Sequence, residues 1–103
     1  MSLIIDVTGD SPVVIKLGGE LDAFSSRQLR HRLDEVIEGG RDDLVIDLAA
    51  LDFIDSTALG VLIAALRQAR LHGGDVRLRG VTSVAKRVFD VSGLSQVFNL
   101  EYS

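Results

Sequence analysis

The run Leu44-Val45-Ile46-Asp47-Leu48 constrains the fold of this chain more than any other stretch. It is almost continuously apolar, the pattern expected of a central strand covered on both faces rather than of a half-exposed one. A strongly helical segment, Leu59 to Leu71, follows, with Leu59, Leu62, Ile63, Leu66 and Ala69 on one apolar stripe. A buried strand that hands over to an amphipathic helix is the repeating half of an α/β sheet. The hand-over reads Asp52-Phe53-Ile54-Asp55-Ser56-Thr57-Ala58-Leu59-Gly60. Loops at the carboxyl ends of such strands are where ligands and partners act. A Ser-Thr pair preceded by Asp is a candidate nucleophile, helix cap or phosphorylation site there.

The remaining segments fit around this unit. Leu3 to Val7 and Val13 to Leu17 are short β-branched runs separated by the turn formers Thr8-Gly9-Asp10-Ser11-Pro12, which predicts an opening hairpin. Gly18 to Phe24 reads as a loop into a first helix, with Ser25 and Gln28 spaced as a capping box. Leu29, Leu33, Val36 and Ile37 form its core stripe, and Gly39-Gly40 ends it. Gly73-Gly74 ends the second helix, and Val76 to Arg79 alternates as a strand with one exposed face. Thr82 or Ser83 is placed to cap a third helix with Val84, Val88 and Val91 on its core stripe, ending near Ser92-Gly93. Val97 to Leu100 is the last strand. The order ββαβαβαβ predicts an α/β fold: one domain, 1–103, with a mixed, mostly parallel sheet, an N-terminal hairpin and three or four helices.

Composition narrows the class of function. With 103 residues, 47% of them hydrophobic, and one Pro, the chain is long enough for one real core and too apolar to be disordered. No Cys is present, which excludes disulfide and thiolate chemistry and fits a reducing cytoplasm. The start shows no signal-peptide pattern, and no apolar run approaches the length of a membrane span. Lys+Arg 11 against Asp+Glu 15 leaves −4, which argues against nucleic acid as the main partner. The expectation is a cytoplasmic domain with neither a nucleic-acid nor a membrane partner.

Parallel crossovers place the loops Gly18–Phe24, Leu51–Thr57 and Gly80–Ser83 at one edge of the sheet. Asp22, Asp55, Ser56, Thr57, Thr82 and Ser83 therefore share that edge. Helix capping accounts for Thr82 and Ser83; for Asp22 and Asp55, capping and function both stay open. Catalytic chemistry at Ser56 lacks its parts. The only two His residues are His31 and His72, and His72 lies sixteen positions along the same helix, about 24 Å away at 1.5 Å per residue. There is no Gly-x-Ser-x-Gly elbow, no P-loop, and no clustered His, Cys or carboxylates for a metal. A receiver-type domain, phosphorylated on Asp, would need an acidic cluster after the first strand and a Lys after the last, and neither is present. No enzyme activity, cofactor or metal is expected.

Asp52 to Gly60, followed by Val61-Leu62, resembles the phosphoacceptor segment of STAS domains, the bacterial anti-sigma factor antagonists, which usually runs Asp-x-x-Asp-Ser-Ser/Thr-Gly-Leu-Gly. Gly19-Glu20-Leu21-Asp22 is similar to that family's Gly-x-Leu-Asp turn, the strand ending at Leu48 stands at the family's distance, and the likeness runs over essentially the whole chain. The resemblance implies that Ser56 is phosphorylated by a partner that is both anti-sigma factor and serine kinase. Asp22, Asp55, Thr57, Ala58 and Gly60 would face that partner, and a PP2C-type phosphatase would reset the site. Ala58 departs from the family's usual Gly. Its methyl would crowd an approaching kinase, which opens the alternative of a STAS adaptor subunit that is never phosphorylated, within a transport or signalling assembly. Of Gly60, Ala64 and Ala65, small and partly off the core stripe, the second helix would make a close-approach surface.

Overall fold

The computed structural model describes residues 3–93 and 97–102. The chain runs β1 (Leu3–Thr8), β2 (Val13–Leu21), α1 (Ser25–Glu38), β3 (Asp43–Ile54), α2 (Ser56–Leu71), β4 (Asp75–Val81), α3 (Ser83–Ser92) and β5 (Asn99–Tyr102). The expected order ββαβαβαβ is the observed one. All five strands form one sheet in the order β1-β2-β3-β4-β5, antiparallel between β1 and β2 and parallel thereafter.

That strand order decides where the helices go. Each parallel strand is added on the same side of the last, so right-handed crossovers put every connecting helix on one face. The buried side chains follow suit: Leu3, then Val13, Ile15 and Leu17, then Leu44, Ile46 and Leu48, then Val76 and Leu78 alternate inward. They join Leu29, Leu33, Leu62, Leu66 and Phe89 from the helices in one cluster. The expectation that β3 is covered on both faces is corrected. On the other face Ile4 is 64% exposed. Asp47 there pairs with Arg79 at 3.0 Å across β3 and β4, and Arg77 with Asp43 at 3.8 Å. Val45 is buried on that face with no helix over it; its register neighbours are Val14 and Arg77. A central position in the sheet made the run apolar without requiring two helical layers.

Three further expectations shift. β2 continues through Gly18-Gly19-Glu20-Leu21, which the sequence presented as loop. β3 continues past Leu48 to Ile54. Of the stripe Val84, Val88 and Val91 only Val88 packs against the core, half-buried: Val84 is 47% and Val91 85% exposed, while Ala85 and Phe89 are buried. The aromatic ring of Phe89 sets the rotation of α3, because it meets Phe98 edge-to-face with centroids 6.0 Å apart. Phe98 thus belongs to the core just before β5, which begins at Asn99 rather than at Val97. Phe89→Ala is expected to lower unfolding stability by about 3–5 kcal/mol in urea titration, since it empties a fully buried site.

Candidate functional site

Strand β3 reaches the site through two irregularities. Lys16 and Gly18 of β2 pair with Asp47 and Ala50, then Gly19 and Glu20 pair with Leu51 and Phe53, so β3 carries one extra residue at each step. These bulges break the two-residue alternation, and the inward positions become Leu48, Leu51 and Ile54. The first is braced from within, as the Ala49 N–H donates to Asp47 Oδ1 at 2.9 Å. Burial pushes the Asp47 carboxyl up, but the Ala49 N–H, the Arg79 guanidinium and Lys16 outweigh it and hold the pKa below its ordinary value.

At the end of β3 the Asp55 N–H donates to the Leu21 carbonyl at 3.1 Å, which ties the end of β2 to the start of α2. Asp55 is the N-cap of α2, in extended conformation, and its Oδ1 accepts from the Thr57 N–H at 2.9 Å. Ser56 and Thr57 are the first two helical residues, and both are exposed. Among the described residues none forms a hydrogen bond with the Ser56 hydroxyl. The hydroxyl thus stands in solvent beside the positive end of a 16-residue helix. Of the three roles the sequence left open, capping belongs to Asp55.

Asp22 stands three residues before α1 and caps the turn that leads into it, and here the expected Ser25–Gln28 box is corrected. The Ser25 N–H donates to Asp22 Oδ1 at 2.8 Å while the Asp22 N–H donates to Ser25 Oγ at 2.9 Å. That reciprocal pair is a capping box three residues earlier than expected, built from Asp22 and Ser25. The Ser25 hydroxyl has one proton to share between Glu20 O at 2.9 Å and Asp22 Oδ1 at 3.0 Å. These bonds from the Ser25 backbone N–H and hydroxyl hold the Asp22 carboxyl below its ordinary pKa. Thr82 occupies the N-cap of α3, but its side chain makes no capping bond.

The Leu21–Asp55 bond therefore brings Asp22 and Asp55 to adjoining strand ends. Ala23, Arg27, Arg30, Thr57 and Gly60 line one shallow groove of about 430 Å³ between α1 and α2. Gly60 is exposed. Ser83 instead lines a groove with Lys86, Arg87 and Val91 on the flank of α3. Ala58 is 0% exposed and Ala65 5%, so both are core residues and neither side chain is available to a partner. Among the described residues no three His, Cys, Asp or Glu side chains are grouped as a metal would require, and no helix is long and apolar enough to cross a membrane.

Two features of this edge escaped the sequence reading. Phe24 is 85% exposed in the turn before α1 and Phe53 is 45% exposed near the end of β3. Phe24 sits where no helical or strand period calls for an apolar residue, and that mismatch was the available signal. The arginines of α1 looked like an ordinary solvated face, although two of them line the groove that Thr57 also lines.

Fold and site together define a class: a small α/β domain with helices on one face and an exposed serine, just after an Asp helix cap, at the carboxyl edge of its central strand. The family model described as STAS domain matches residues 4–103, and the chain belongs to that family. The anti-sigma-B factor antagonist of Bacillus subtilis (strain 168) is 30% identical over 101 residues, covering 97% of this chain and 92% of its own. An anti-sigma factor antagonist from Mycobacterium paratuberculosis has a TM-score of 0.82 at 28% identity, over 99% of this chain and 87% of that one. The anti-sigma factor antagonist SpoIIAA in its unphosphorylated form has a TM-score of 0.82 at 24% identity, over 99% and 90%, a likeness of fold.

The capping box carries a stability prediction. Ser25→Ala is expected to lower unfolding stability by about 1–2 kcal/mol, because it strands the Asp22 N–H beside a nearly buried position. The Asp22 pKa is lower folded than unfolded, so its contribution is fully present above its ordinary value of 3.8 and is lost as pH falls through the lowered one. Urea titrations from neutral to acid pH should fall less steeply for Asp22→Asn than for wild type.

Proposed function

We propose that this chain is a phosphorylation-controlled protein-binding switch of the cytoplasm. Unphosphorylated, it binds an anti-sigma factor that is also a serine kinase, and a sigma factor is thereby released. A phosphate on Ser56 ends the binding, and a PP2C-type phosphatase restores it. The observation that carries this reading is the exposed hydroxyl of Ser56 at the first position of α2, in a chain alignable over 97% of its length with an anti-sigma-B factor antagonist. Asp22, Asp55, Thr57 and Gly60 surround the partner's approach. Exposed Phe24 adds the kind of rigid aromatic contact on which protein interfaces concentrate their energy.

Magnitudes favour a switch at the interface over a change of fold. A phosphate adds about −1.5 to −2 charge at neutral pH. The α2 N-terminus stabilises it by roughly 0.3–1 kcal/mol, and neighbouring Asp55 offsets part of that. A partner shaped to the unmodified edge loses several kcal/mol to repulsion and desolvation, at about 1.4 kcal/mol per tenfold in affinity. Ala58 gives little support to the unphosphorylated adaptor, since its methyl is buried and stands in no kinase's way.

Incubation with the kinase-type anti-sigma factor of the same genome and ATP should place one phosphate, and mass spectrometry should map it to Ser56. Pull-downs should retain wild type and Ser56→Ala and lose Ser56→Asp. A phosphate mapped elsewhere overturns the switch, and equal binding by all three is the behaviour of an adaptor. Ala58→Gly should leave the phosphorylation rate near that of wild type. It should also lower stability by about 1–2 kcal/mol, from weaker helix propensity and a lost buried methyl.

A further inference from the structure

The groove at Thr57 does not end there. Arg30 lines it and also lines a second cavity of about 230 Å³ further along α1 and α2, so the two grooves adjoin at Arg30 and together are taken as one channel leading away from Thr57. Its charge changes along its length. Arg27 lines the end at Thr57, Arg30 lines both grooves where they meet, and Asp34, Glu38 and His72 line the far end. Among the described residues Arg27, Arg30, Arg67 and Arg87 have no ion-pair partner, whereas Arg32, Arg41, Arg70, Arg77 and Arg79 each have one; of the four, Arg27 and Arg30 line the channel.

Gly60 is the second, independent observation. It lies inside α2, where Gly is about 1 kcal/mol less favourable than Ala. A Cβ built on it meets nothing within 4 Å, so nothing in this chain's own packing requires the glycine. Ala64, one turn on, continues the same small-residue wall of the channel. A helix wall kept low at no benefit to the domain leaves room for something from outside.

We propose that this channel seats one segment of the anti-sigma factor, with acidic side chains toward Arg27 and Arg30 and basic ones toward Asp34 and Glu38. This rests on the switch reading above and adds to it an address and a direction. The charge gradient permits one orientation and repels the reverse, and complementarity of this kind fixes register and speeds encounter. It also gives the phosphate a second means of release. Negative charge added on the neighbour of Thr57, which shares its groove with Arg27, weakens the pull on the segment's acidic end.

The test measures binding kinetics of the purified anti-sigma factor to full-length variants at low and high salt, with thermal midpoints as a check on folding. Arg27→Glu/Arg30→Glu should bind at least about tenfold more weakly, mostly through slower association, and should lose salt dependence. Asp34→Lys/Glu38→Lys should weaken binding from the other end. Gly60→Leu should weaken it while leaving the thermal midpoint at or above that of wild type, which a purely structural glycine would not allow. If all three bind within twofold of wild type while Ser56→Asp still abolishes binding, the channel assignment is overturned and the switch stands. If wild type itself fails to bind, both are overturned.

Discussion

Because every parallel strand of this sheet is laid on the same side of its predecessor, the right-handed crossover leaves the helices no choice of face. Much follows from that constraint. One face of the sheet carries the core and all three helices, and the other faces water and closes its polar positions with cross-strand ion pairs such as Asp47–Arg79. The strand ends then deliver α1, α2 and α3 side by side at one edge. α1 and α2 pack against each other with the channel's grooves between them, and their N-termini open where β2 and β3 end. The Leu21–Asp55 hydrogen bond fixes those two strand ends relative to each other. It extends the β2–β3 ladder, which pairs Leu21 with Ile54, and so holds Asp22 and Ser56 at one edge.

The sequence was most readable where one period held for several turns. Leu29, Leu33, Val36 and Ile37 of α1 and Leu59, Leu62, Leu66 and Ala69 of α2 are buried as their spacing implies. It was least readable where a local device overrode the period. The two extra residues in β3 turn an alternating pattern into inward positions three apart, so the strand looked finished at Leu48 although it continues to Ile54. In α3 the competition was between two stripes of similar hydrophobicity, and volume decided it. Phe89 fills more core than Val84 or Val91 can, so the helix rotates to bury the ring and leaves the valines in water.

The candidate site was legible as a place rather than as a geometry. Local spelling marked Asp55-Ser56-Thr57 as a helix start, and topology brought Asp22 to the same edge. What spelling could not convey was which small residues face outward. Ala58 and Gly60 differ by two positions, about 200° around an α-helix, so one is sealed in the core and the other opens on solvent. Capping was also distributed differently from its appearance. Ser25 with Gln28 three residues later resembles an N-terminal box, but Asp22 takes the cap because its carboxylate accepts from the Ser25 N–H while the Ser25 hydroxyl accepts from the Asp22 N–H.

That arrangement of caps bears on how a modification here would act. The carboxylates of Asp22 and Asp55 are engaged with the backbone of the helices they begin, and the Ser56 hydroxyl supports no hydrogen bond among the described residues. A group attached to Ser56 therefore breaks nothing that holds the domain together. Had Ser56 itself been the cap, esterifying it would have disturbed the start of α2 at about 0.5–2 kcal/mol and coupled the signal to folding. Giving the cap to the preceding residue separates the two tasks. The helix keeps its N-terminal stabilisation in either state, and the whole effect of an added charge is left to fall on whatever approaches that edge.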